Sequence, residues 1–93
     1  MSGKNNVFPE KKQLKEATLK ALVQMGGSVT TKEINSKVAQ ILDLSEEVLT
    51  MEDENSLGTA YEYRMRWIRT ELKGQILNPK KGYWILAESQ NLE

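Results

Sequence analysis

Thr59–Leu86, TAYEYRMRWIRTELKGQILNPKKGYWIL, changes its period in the middle. Up to Gly74 the apolar residues Tyr61, Met65, Ile68 and Leu72, preceded by Leu57, return every three or four positions and make one stripe of an α-helix. Beyond Gly74, Ile76-Leu77 and Tyr83-Trp84-Ile85-Leu86 flank Asn78-Pro79-Lys80-Lys81-Gly82. That pattern predicts a β-hairpin, in which proline pre-sets the turn and Gly82 supplies a positive φ. Alternation along the last strand puts Trp84 and Leu86 on one face and Tyr83 and Ile85 on the other. The helix is predicted to run from a cap at Asn55 or Ser56 to about Gly74.

Working upstream, two further helices emerge. Pro9 suits a helix start, and Leu14, Ala17, Ala21, Leu22 and Met25 recur at helical spacing from Glu10 until Gly26-Gly27 ends the run. Leu19 and Val23 lie one turn apart off this stripe, either partly packed against the rest of the domain or forming a dimer seam. Ser28-Val29-Thr30 is a short extended stretch, and Val29 can add a third strand to the hairpin. Thr30 and Glu33 have capping-box spacing, and Ile34, Val38, Ile41 and Leu42 follow, which predicts a second helix from Thr31 to about Leu42. The acidic segment 43–55 reads as a partly helical loop held by Leu44, Val48, Leu49 and Met51. This order predicts an α+β winged helix-turn-helix, three helices with a C-terminal β-hairpin wing, over residues 10–88. Residues 1–9 read as a disordered polar lead. Residues 89–93 read as a tail whose final Leu-Glu pair is typical of cloning.

A chain of 93 residues makes one domain with a modest core and little room for a deep substrate cavity. It has no cysteine and no histidine, so the commonest metal ligands and the commonest general base are missing. No metal, cofactor or catalytic residue is expected. No apolar run is long enough to span a bilayer and the first ten residues lack an apolar core, so the expected location is cytoplasmic, away from membranes. Net charge is zero, yet the charges are segregated. Residues 1–42 carry seven lysines and three glutamates, 43–54 carry six acids and no base, and 60–84 carry six bases and two acids. A neutral molecule sorted this way can present one positive face.

At 100° per residue, the side of the third predicted helix opposite its apolar stripe holds Thr59, Tyr63, Arg66 and Thr70, flanked by Lys73. Arg66 has the fork that reads guanine in the major groove, and Tyr63, Thr59 and Thr70 suit phosphates or thymine methyls. Arg64 and Arg69 fall at the two edges of the stripe, within reach of flanking phosphates. Lys80 and Lys81 at the hairpin tip supply a second phosphate anchor. Trp67, at the helix shoulder near Ala60, is expected half-buried and Trp84 packed inward from the wing; both are assigned to core packing, since large aromatics dominate small cores. Two metal-site look-alikes fail. Asp53 with Glu71-Leu72-Lys73 has nuclease-like spacing, but Glu71 and Lys73 sit on a helix and point apart. Asp43–Glu54 has the length of a calcium loop, but Val48 stands where the sharp turn demands glycine.

From Leu14 to Ala87 the chain resembles the N-terminal domain of Mrr-type restriction proteins. The resemblance is carried by Arg64-x-x-Trp67-x-Arg69-Thr70-x-Leu72-Lys73, by Lys81-Gly82-Tyr83-Trp84-Ile85-Leu86, and by Leu42-Asp43-Leu44-Ser45-Glu46-Glu47. Gln75-Ile76-Leu77 departs from that family's usual Ala-Gly-Leu. The resemblance implies a winged-helix module recognising double-stranded DNA, joined in the parent protein to a C-terminal PD-(D/E)xK nuclease that cuts modified DNA. That nuclease is absent from this stretch, so the domain alone is expected to be inactive. The competing readings are a winged helix that docks a protein or a second copy of itself, or a small transcriptional regulator.

Overall fold

The computed structural model describes residues 7–52 and 58–87. Helix α1 spans Lys11–Met25, strand β1 Val29–Thr30, helix α2 Thr31–Ile41 and helix α3 Glu46–Thr50. Helix α4 spans Ala60–Glu71, followed by strands β2 Ile76–Lys80 and β3 Tyr83–Leu86. The sheet is antiparallel in the order β1-β3-β2, with Val29 opposite Trp84 and Ile76 opposite Leu86. The predicted third strand at Val29 is therefore present. Helices followed by a C-terminal hairpin, with one short strand returning to the sheet, give the α+β arrangement of a winged helix.

Local chemistry explains most of the boundaries. The Thr30–Glu33 box forms in both directions: Glu33 N donates to Thr30 Oγ1 at 3.1 Å and Thr30 N to Glu33 Oε1 at 2.9 Å. Glu10 caps α1, its amide donating to Gln13 Oε1 at 2.9 Å, and Gly26 N closes the far end onto Leu22 O. Within the acidic segment, the helical part that the sequence predicts is α3. Ser45 caps the short α3, whose Val48 enters the core while Glu46 and Glu47 face outward. A calcium loop is thereby ruled out on geometry, since its sixth position is a buried helical valine.

Helix α4 begins later than the sequence predicts. Asn55, Ser56 and Leu57 lie outside the described residues, and the cap is Thr59, whose Oγ1 accepts from Glu62 N at 3.1 Å. Gly58 has φ +118°, which no helix accommodates, and Ala60 N donates back to Met51 O at 2.7 Å. The end of the acidic segment thus fixes where α4 starts.

One core joins all elements. Leu14, Ala21 and Leu22 of α1 meet Ile34 and Val38 of α2, Val48 of α3, Met65 and Ile68 of α4, and Ile76 of β2. Leu19, Trp84 and Leu86 pack against its edge.

The hairpin is tighter than expected. Strand β2 runs through Pro79 to Lys80, and the turn is Lys81-Gly82, with Gly82 at φ +81°. The register slips between Leu77 and Lys80. Asn78 Nδ2 spans the irregularity by donating to Lys80 O at 2.8 Å and Tyr83 O at 2.6 Å.

Candidate nucleic-acid interface

Five residues of α4 build the buried side: Tyr61, Met65, Ile68, Arg69 and, just past the helix end, Leu72. The opposite side exposes Tyr63, Arg66, Trp67 and Thr70. Arg66 has no carboxylate partner among the described residues, where the ion pairs join Glu71 to Lys15 at 2.9 Å and to Lys11 at 3.1 Å. The acids of α3 therefore leave Arg66 free.

Between α2 and α4 lies an open groove of about 900 Å³. Thr31, Lys32 and Ser36 line it from α2, and Thr59, Tyr63 and Arg66 from α4. The wing closes on the same end of α2: Thr31 N donates to Gly82 O at 3.1 Å, and Trp84 Nε1 donates to Thr31 Oγ1 at 3.0 Å. Lys81, at the turn, is thus one residue from the bond that ties the wing to α2. Lys80 lies with its Nζ 5.0 Å from the Tyr83 ring centre. Lys73 is exposed just beyond α4.

The structure places four predicted residues differently from a free contact surface. Arg69 is only 9% exposed. Its Nη1 donates to Asn35 Oδ1 at 3.0 Å and its guanidinium sits 5.4 Å from the Trp84 ring centre, so it holds the fold. Burial, and then the nearby Arg66 charge, pull its pKa below the ordinary arginine value. Thr59 spends its hydroxyl oxygen on the α4 cap. Arg64 is partly buried, with its guanidinium 5.5 Å from the Phe8 ring centre. Thr70 is exposed, but its Oγ1 donates to Arg66 O at 3.1 Å.

The sequence places Trp67 at the helix shoulder, half-buried and packed toward the core; it is half-exposed, as that position implies, but does not join the core. Trp67 is 49% exposed, edge-to-face with Tyr63 at a 6.3 Å centroid distance. Trp84 does pack against the core, as expected. Asn35 was missed: its carbonyl accepts from Tyr61 Oη at 2.6 Å and its side chain accepts from Arg69. Burial pushes the Tyr61 phenol far above its ordinary pKa, so that hydroxyl remains a donor. The polar stripe of Lys32, Asn35 and Ser36 on α2 is visible in sequence, but only the packing shows that it faces α4.

Among the described residues no cluster of acids, cysteines or histidines is arranged to hold a metal. No helix among them is long and apolar enough to cross a membrane. Glu71 of the nuclease-like trio is engaged with two lysines, and Asp53 lies outside the described residues.

A domain with helices, a C-terminal hairpin and a cation-bearing exposed helix face belongs with winged-helix modules. The family model of the Mrr N-terminal domain matches residues 12–90, and the chain belongs to this restriction-system-associated family. No nuclease domain is evident on these 93 residues. No curated protein and no solved structure matches the chain.

Proposed function

We propose that this domain binds double-stranded DNA as the recognition module of an Mrr-like restriction protein, without catalytic activity of its own. Helix α4 enters the major groove, and Lys80 and Lys81 take the backbone beside it. The observation that carries this reading is the division of α4 into two sides. Met65 and Ile68 hold the core, while Tyr63 and Arg66 stand exposed with no acidic partner among the described residues. Lys32 and Ser36 across the groove add a second row of donors. The charge segregation along the chain is compatible with a positive face on a neutral molecule, although Glu62 also lines this groove.

The test is a titration with mixed-sequence duplexes, methylated and unmethylated, at rising salt. Affinity that falls steeply with salt, and amide shifts confined to residues 31–36, 59–73 and 79–83, support the reading. No binding to any duplex at low salt sinks it.

One observation favours a second reading. Val23 on α1 is 66% exposed beside a shallow groove lined by Gly26, Gly27, Ile85 and Leu86. A second copy docking there makes the domain a dimerisation module. A concentration-dependent dimer, indifferent to DNA, supports this reading over the first.

A further inference from the structure

Three outward residues of α4 stand in one line. Tyr63, Trp67 and Thr70 occupy positions i, i+4 and i+7, and all three are exposed. The two rings meet edge-to-face at 76°, which holds the Trp67 ring in place before anything binds. Because Thr70 turns its hydroxyl back onto Arg66 O, its methyl group is left to complete the line. The result is an apolar seam on the exposed side of the helix.

Cations border the seam on both sides. Arg66 lies along the edge facing α2, in a groove that Lys32 lines from the other side and Glu62 also borders. On the edge facing α1, Glu71 is outnumbered by Lys11 and Lys15, which both bond to it. An apolar ridge between two cationic margins matches a groove with an apolar floor feature and phosphate walls. In the major groove that feature is the C5-methyl of thymine, the one apolar group that the base edges offer there. Rings set edge-to-face leave no slot between parallel faces for an unpaired base, which disfavours a single strand. A protein surface would not call for cations along both margins.

We infer that Trp67, with Tyr63 and the Thr70 methyl, selects thymine by contact with its C5-methyl group. This inference rests on the duplex-binding reading and adds a specificity-determining residue to it.

The experiment compares a duplex rich in A·T pairs with the same duplex carrying uracil for every thymine, which removes the methyl and keeps the pairing. Wild-type protein binds the thymine duplex more tightly, by about fourfold for each methyl buried. Trp67→Ala loses that preference and binds both duplexes as wild type binds the uracil form. Trp84, still packed against the core, reports by fluorescence that the variant is folded. Equal wild-type affinity for the two duplexes, with salt-dependent binding intact, overturns the inference and leaves the duplex reading standing. A thymine preference that survives in Trp67→Ala also overturns it. Tighter binding to the single strands than to the duplex assigns the rings to base stacking and overturns it too. No binding to any DNA overturns both.

Discussion

Arg69 and Asn35 meet at 3.0 Å between α4 and α2, the guanidinium donating to the side-chain carbonyl. The same guanidinium packs on Trp84 of the wing, and Trp84 donates to Thr31 at the start of α2. One cation therefore joins α4, α2 and the wing. The two elements proposed to touch DNA are held at a fixed spacing by a residue that sequence reasoning assigned to phosphate.

Arg69→Ala removes a charged hydrogen bond and a partly desolvated cation–π contact, and leaves Asn35 Oδ1 without its donor. The expected cost is about 2–4 kcal/mol. For a domain of this size that lowers Tm by roughly 10 °C or more. Arg69→Lys keeps the charge but loses the planar fork, and recovers only part of the loss. Calorimetry or urea unfolding checks both. Unchanged stability in Arg69→Ala would show that the contact with Asn35 holds nothing.

Arg66→Ala is expected to behave oppositely. Its side chain is exposed, so Tm stays within about 4 °C, since surface changes are typically within 0.5 kcal/mol. Duplex affinity falls by roughly 10- to 100-fold and sequence preference relaxes, as for loss of a base-reading arginine. Competition binding across a randomised duplex pool measures both effects.

Lys80→Ala with Lys81→Ala weakens binding to all duplexes alike. If both lysines neutralise phosphates, the slope of log affinity against log salt falls by about 2. Fluorescence anisotropy over a salt series checks it, and a slope equal to wild type would place the wing away from the backbone.

Thr59→Ala removes the α4 cap and costs about 1 kcal/mol, whereas Thr59→Ser retains it. If Thr59 acts only as a cap, duplex affinity corrected for the folded fraction is unchanged in both variants. Paired unfolding and binding curves separate the two roles.

The Glu71 carboxyl is held below the usual carboxylate range by hydrogen bonds first from Lys15 and then from Lys11. A depressed folded-state pKa means that the pair stabilises above the ordinary carboxylate pKa, and that this contribution is lost as pH falls through the folded value. The group is exposed, so the effect is small and screened by salt. Lys11→Met with Lys15→Met is expected to move the Glu71 titration upward, read by carboxyl NMR, while the wild-type titration moves upward in high salt.

The periodic stripes, the Thr30–Glu33 box and the turn chemistry around Gly82 are local, and they were legible without coordinates. So was the assignment of Tyr63 and Arg66 to the side of α4 away from its apolar stripe. The α4 start was not, because Gly58 and the Ala60–Met51 bond are set by how segment 51–59 folds back. That the acidic segment is partly helical was legible too, but not the bounds of α3, whose five residues carry too short a periodic signal.

Sequence alone determined which residues share a helix face, since that follows from a fixed rotation per residue. It could not determine what covers each flank of that face. On one flank α2 and the wing close over Arg69 and make an arginine part of the interior. On the other, no neighbouring element draws Trp67 into the core, and about half of the tryptophan is left in solvent. Burial at a helix shoulder depends on the neighbour that packs there, which only the tertiary structure decides.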